Sequence, residues 1–236
     1  MANKIPSQPS EGELFELMCL VADDKQDAAL KLLETASELA LASARIGANR
    51  ASASQFFLRT IRHYVYAGDT ALHIAAASFC VRVAVALLER GAPCDATNRR
   101  GAKPLHYASD TNIWNPKAQA ATVKCLIAAG ADPNAADANG ATPLHRAVRT
   151  RSAPAVRALL DAGAAHSARN KNGSTPLHLA VQNTGRGGTG EALAIQQQQE
   201  IVALLLQHGA DVKAADKSGK TVIDAATSES VRRLLS

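Results

Sequence analysis

Two stretches of this sequence have the spacing of phosphate-binding loops. "AADKSGKT", residues 214–221, fits a relaxed phosphate-loop pattern: a small residue, four further positions, then Gly-Lys and a hydroxyl residue. In such a loop backbone N–H groups cradle phosphates and the lysine meets their charge. "GRGGTG", residues 185–190, reads as G-x-G-x-x-G, the spacing that lets backbone approach a dinucleotide pyrophosphate. A third pattern invites metal chemistry, because His73, His106, His145 and His178 recur in register. No HExxH, no GxSxG and no carboxylate pair at useful spacing accompanies them. The sequence offers no catalytic constellation, so no enzyme and no cofactor is expected.

Each reading requires a setting, and the setting is a repeat. "GDTALHIAA" from Gly68, "GAKPLHYAS" from Gly101, "GATPLHRAV" from Gly140 and "GSTPLHLAV" from Gly173 align, with "GKTVIDAAT" from Gly219 as a fifth copy. An apolar stretch and a glycine follow each of the first four: "VAVALLERGAPCDA", "TVKCLIAAGADPNA", "AVRALLDAGAAHSA" and "IVALLLQHGADVKA". The glycine spacings are 33, 39, 33 and 46, so a 33-residue unit carries 6 extra residues in one copy and 13 in another. Thr-Pro places a capping hydroxyl and a proline at a helix start, where the missing N–H costs nothing. The glycine after each Leu-Leu run ends a second helix. Asp137 and Asp216, with Asn98 and Asn170 at the equivalent place, supply turn chemistry ahead of the next glycine. One unit cannot bury its own apolar face, so neighbours must stack.

These residues resemble the ankyrin repeat, whose hallmark is a G-x-T-P-L-H-x-A-A helix start and a later L-L-x-x-G-A-D. The resemblance covers about residues 65–236, in repeats beginning near Val65, Asn98, Asp137, Asn170 and Asp216. It implies an all-α repeat solenoid of stacked helix-turn-helix units with short β-hairpin loops. It also implies non-catalytic protein binding, as a scaffold, adaptor or inhibitor, on a concave face of hairpin tips and first helices. On this chain that face comprises Tyr66 and Asp69, then Arg99, Arg100, Asp110 and Thr111. Asn139, Arg149 and Thr150 come from the third repeat, Lys171, Asn172, Gln182 and Asn183 from the fourth, and Lys217 and Lys220 from the last. Six cations among these positions and few acids point to an acidic partner surface.

The chemical motifs can now be placed. Residues 214–221 are in frame with "ADANGAT" and "RNKNGST", so the phosphate pattern is a coincidence of the repeat. "GRGGTG" follows a helix and not a strand, which removes the dinucleotide setting. It does precede a helix whose free N–H groups could hold an anion. Small-anion or nucleotide binding at Gly185–Gly190, with Arg186 inside it, is therefore the alternative to protein binding. The other insertion holds Trp114, which either packs on its own repeat or stands as an exposed anchor. Asn115 and Pro116 read as a cap and first turn. The histidines cannot share a metal: stacked helices lie about 8–10 Å apart, whereas two nitrogens on one zinc lie within about 4 Å. They are expected to hydrogen-bond the adjoining hairpins.

Residues 1–60 lie outside the repeat frame and read as a helical capping unit with a connecting loop, leaving 61–236 as the repeat domain. Two helices are expected there, Glu11–Val21 and about Lys25–Ile46, with Leu14, Leu17, Met18, Leu30, Leu33 and Leu41 on their apolar stripes. A strand or hairpin should follow over "FFLRTIRHYVYAGD". Only 3% of residues are aromatic, and alanine and leucine supply the apolar mass, which suits closely packed helices. No apolar run approaches the roughly 20 residues of a membrane span. Glu11, Glu13 and Glu16 interrupt any leader-like stretch, so a cytoplasmic protein is expected, and the resemblance to repeat arrays implies a monomer. Net charge is +5 with signs mixed and no Lys/Arg tract, so nucleic acid is not indicated, and the near absence of aromatic residues on the strip argues against single-strand binding. Cys19, Cys80, Cys94 and Cys125 lack metal spacing and read as reduced small hydrophobes.

Overall fold

The computed structural model describes residues 10–110, 115–182 and 192–236. Helices come in successive pairs: α1 (Glu11–Ala22) with α2 (Gln26–Thr35), α3 (Ala71–Ala77) with α4 (Val81–Glu89), and α5 (Pro104–Ser109) with α6 (Pro116–Ala128). Then come α7 (Pro143–Arg149) with α8 (Ala153–Asp161), α9 (Pro176–Val181) with α10 (Ala192–Gln207), and α11 (Val222–Ala225) with α12 (Glu229–Leu235). Odd-numbered helices pack one on the next to form one layer, and even-numbered helices form the other. A single apolar cluster runs between the layers from Leu14 to Leu235. This is an all-α solenoid.

Local sequence explains the starts. Pro occupies the first turn of α5, α7 and α9, and the hydroxyls of Thr70, Thr142 and Thr221 accept from the backbone N–H three residues on. Asn115 caps α6 through the Ala118 N–H at 3.1 Å, so that helix begins early, as the Asn-Pro pair predicts. The inner first helices α3, α5, α7 and α9 are buried almost all round, and their alanines permit the close approach that stacking needs. The loops between repeats close on single backbone bonds, such as Asn98 N to Ala102 O at 3.0 Å, and one isolated antiparallel bridge, Ala215 with Thr221, spans the last of them. Among the described residues a two-stranded sheet forms only between β1 (Phe57–Leu58) and β2 (His63–Tyr64), ahead of the first repeat.

The N-terminal region departs from its sequence pattern. Its second helix stops at Thr35, and a short 3-10 turn covers Ser37–Ala40. Tertiary hydrogen bonds outcompete the helix: Ala44 donates to the Asp69 carbonyl and Gly68 donates to the Ala44 carbonyl, both at 2.7 Å. Leu41 is consequently 59% exposed instead of lying on a core stripe. α1 packs on α3 and α2 on α4, which continues both layers. Gly47 sits against the first repeat so closely that a Cβ would lie 2.5 Å from Ala67 N. Gly47→Ala should therefore cost about 1–3 kcal/mol, read as a lowered urea midpoint; an unchanged midpoint would contradict this contact.

Arg151 was not singled out in the sequence, yet it is buried and donates to the Ala180 and Gln182 carbonyls at the end of α9. Gln119 and Gln198 act similarly, each donating to a first-helix carbonyl, Ala108 and Ala180 respectively. These long side chains close helix ends that have no glycine stop.

Candidate partner-binding groove

The turn residues build a regular row of tips. The side-chain oxygen of Asn98 accepts from Arg100 N and Ala102 N, at 2.9 and 3.1 Å. Asp137, Asn170 and Asp216 repeat that pattern on their own turns. Gly101 completes the second tip with φ +72°, and a Cβ there would meet Ala138 N at 2.5 Å. Neighbouring tips join through single backbone bonds. Arg99 N donates to Ala67 O, Ala138 N to Arg100 O, Lys171 N to Asn139 O and Lys217 N to Asn172 O, at 2.8–3.0 Å.

The histidines lock each tip to the helix before it. His73, His106, His145 and His178 send Nε2 to the carbonyls of Ala102, Ala141, Ser174 and Lys220, at 3.2, 3.0, 3.1 and 3.3 Å. Each Nδ1 faces the backbone N–H of the residue before its own helix, which makes it an acceptor. The proton therefore sits on Nε2, and the neutral ring serves both bonds. Burial, joined by the Arg146 charge, pushes His106 down to about 4, and burial lowers His73 and His145. The register that suggested a metal ladder is a hydrogen-bond ladder, and among the described residues no group of metal-binding side chains forms.

Between the tips and the first helices runs a groove of about 710 Å³. Its lining includes Arg62, Arg100, Arg146, Arg149 and Lys171 against Asp110 and Asp137, five cations to two carboxylates. Arg146 reaches Asp137 at 2.7 Å and Asp110 at 3.5 Å, while Arg149 reaches Asp110 at 2.7 Å. Burial disfavours the Asp137 carboxylate, but Arg146 and two backbone N–H groups outweigh this and hold its pKa low. Arg100 lies on the Tyr66 ring, 4.9 Å from its centroid, and donates to its hydroxyl at 2.9 Å. Arg99 also lies over that ring and reaches back to the Ala48 carbonyl.

The β1–β2 hairpin and α5 supply an aromatic end wall of which sequence reasoning placed only Tyr66 on this face. The His63 ring stacks on Tyr107 at 4.5 Å, and Tyr64 and Tyr66 stand beside it. Burial lowers the His63 pKa, and its Nδ1 bonds the Tyr64 carbonyl. The His-Tyr-Val-Tyr run beginning at His63 was the available signal, hidden because His63 and Tyr64 precede the repeat frame.

Of the positions expected on the face, Tyr66, Arg100, Asp110, Asn139, Arg149, Lys171 and Asn172 line the groove. Arg99, Lys217 and Lys220 are exposed on the tips, and Thr150 and Gln182 are half-buried at the ends of α7 and α9. Asp69 is a correction, because it is fully buried and cannot touch a partner. It accepts from Tyr66 N, Asn98 Nδ2 and the Tyr107 hydroxyl at 2.7, 2.8 and 2.9 Å, organising the groove from beneath. Thr111, Trp114, Asn183, Arg186 and the Gly185–Gly190 loop lie outside the described residues.

Comparison with known proteins agrees with this architecture. A family model described as "Ankyrin repeats (many copies)" matches residues 72–112, and another described as "Ankyrin repeats (3 copies)" matches residues 115–216. The B-cell lymphoma 3 protein homolog of Mus musculus is 39% identical over 83 residues, which is 35% of this chain and 17% of that protein. The chain thus matches a small part of that relative's length. No helix among the described residues is long and apolar enough to cross a membrane. The repeat frame, the two stacked layers, the turn and histidine ladders, and family matches that together span more than half of the sequence make this chain a member of the ankyrin-repeat family.

Proposed function

We propose that this chain is a non-catalytic adaptor or inhibitor that binds an acidic protein surface in the groove between its hairpin tips and first helices. Ankyrin repeats are protein-interaction modules, so protein binding itself follows from the family. The face and the charge of the partner are supported by one observation above all: the groove's cations outnumber its carboxylates, and those at its tip edge have no carboxylate partner among the described residues. Arg100 is held on Tyr66 without being neutralised, which spares the side-chain ordering cost of recruiting it.

Affinity capture with the wild-type protein, followed by titration of the captured protein, tests the reading. The double variant Arg100→Glu/Lys171→Glu, checked for an unchanged unfolding midpoint, should bind about tenfold more weakly, with the difference shrinking as salt rises. Equal affinities for wild type and variant would remove the groove from the binding surface.

A further inference from the structure

The last repeat leaves its outer face uncovered. Ile223 holds the position that Leu72, Leu105, Leu144 and Leu177 hold in the repeats before it, counted from the turn glycine. Those leucines are at most 1% exposed, whereas Ile223 is 45% exposed. The second layer repeats the contrast. The run Val231-Arg232-Arg233-Leu234-Leu235 in α12 matches Val156-Arg157-Ala158-Leu159-Leu160 in α8. Leu159 is fully buried, as are its equivalents Leu87, Leu126 and Leu205, but Leu234 is 40% exposed. In every earlier repeat the next helix pair packs over these positions. The other end of the stack is different: α1 and α2 expose no large hydrophobic residue and present Glu13, Glu16 and Glu34 to water.

Charge selects what can cover this face. Asp224 stands where the four earlier repeats carry histidine. Each of those histidines donates from Nε2 to a carbonyl of the following tip, and a carboxylate can only accept. A further repeat of the same kind is therefore disfavoured. Asp224 instead accepts from the Thr221 N–H and hydroxyl, at 2.9 and 2.6 Å. The exposed helical charges of the unit balance, Asp224 and Glu229 against Arg232 and Arg233. Glu229 and Arg233 meet at 3.7 Å within α12, and Arg232 donates to the Ala226 carbonyl at 3.2 Å. Among the described residues neither Asp224 nor Arg232 has an ion-pair partner. An apolar pair beside one unpaired acid and one unpaired base is complementary to itself. The acidic first end offers no apolar surface to Ile223 and Leu234 and repels Asp224.

We infer that this end face joins two copies of the chain across a twofold axis, with α11 of each copy lying on α12 of the other. Ile223 then packs toward Leu234 of the second copy, and Asp224 faces its Arg232. Laying α11 on α11 would instead crowd the exposed tip lysines Lys217 and Lys220, which precede that helix, from both copies. The face is only two short helices wide, less than the about 800 Å² per partner of a stable complex. The dimer therefore forms at high protein concentration, and the monomer implied by the repeat resemblance prevails on dilution. The groove draws its lining from between Arg62 and Leu179, so both grooves stay open in the dimer. Two open grooves suit a partner with repeated acidic sites, which would be held by both copies at once.

Sedimentation velocity of the full chain between about 10 μM and 1 mM tests this. A monomer should convert to a dimer and to nothing larger. The double variant Ile223→Ser/Leu234→Ser, checked for an unchanged urea midpoint, should weaken association about tenfold or more, because each change removes apolar contact twice in a twofold dimer. Arg232→Glu and Asp224→Arg copies should each remain monomeric alone and form a dimer when mixed, since only the mixed pair faces opposite charges. A monomer at every concentration, or a dimer untouched by the serine variant, would overturn the proposal. Species that keep growing past the dimer would overturn the twofold axis in favour of head-to-tail stacking. Failure of the mixture to dimerise would overturn the seating of α11 on α12.

Discussion

Asp69→Ala is expected to destabilise the protein by about 4 kcal/mol. The carboxylate is fully buried and accepts from three donors, Tyr66 N, Asn98 Nδ2 and the Tyr107 hydroxyl. Alanine leaves all three without that acceptor in a site closed to water. Each buried donor left unpaired costs about 1–3 kcal/mol, and Tyr107 and Asn98 keep only their bond to one another as relief. Asp69→Asn should cost roughly half as much, because the amide keeps one accepting oxygen while its NH2 faces a donor. Urea unfolding measures both. A loss below about 1 kcal/mol for the alanine variant would show that the groove wall does not depend on this network.

Acid should destabilise the fold between about pH 6.5 and pH 4, before most carboxylates titrate. His73, His106 and His145 have folded pKa values below the ordinary 6.5, because burial disfavours the charged ring and the Nδ1 acceptor role requires a neutral one. The folded chain therefore binds fewer protons than the unfolded chain in this window. The stabilisation is complete above 6.5 and is lost as pH falls toward the folded values. For His106, moving from 6.5 to about 4 corresponds to about 3 kcal/mol, with the other two rings acting in the same direction. Asp137, held below its usual 3.8, adds a further loss only at lower pH. Urea midpoints at pH 7 and pH 4.5 would show the drop; equal midpoints would mean that the rings protonate in place without breaking the tip bonds.

The repeats announce themselves because each device is local. Thr-Pro caps, Asx turns and the histidine that follows two residues after proline act within one unit, and repetition multiplies the signal. The second N-terminal helix departs from its sequence pattern for the opposite reason. Its alanine- and leucine-rich sequence is helical by propensity, but the chain is drawn out after Ala40 by bonds to Gly68 and Asp69, more than twenty residues away. Asp69 was misplaced because sequence position equates the tips, whereas Tyr107 and Asn98 from the next repeat bury this carboxylate. His63 and Tyr64 fall before the frame, so their place beside Tyr107 and Tyr66 depends on how the hairpin folds back.

The central claim is that partners are held in the groove, and amide hydrogen exchange of the chain with and without a captured partner tests it most directly. Protection is predicted at the tips Arg99–Gly101, Ala138–Gly140 and Lys171–Gly173 and at the aromatic wall His63–Tyr66. Protection confined to the second-layer helices α4, α6 and α8, with the tips unchanged, would contradict it.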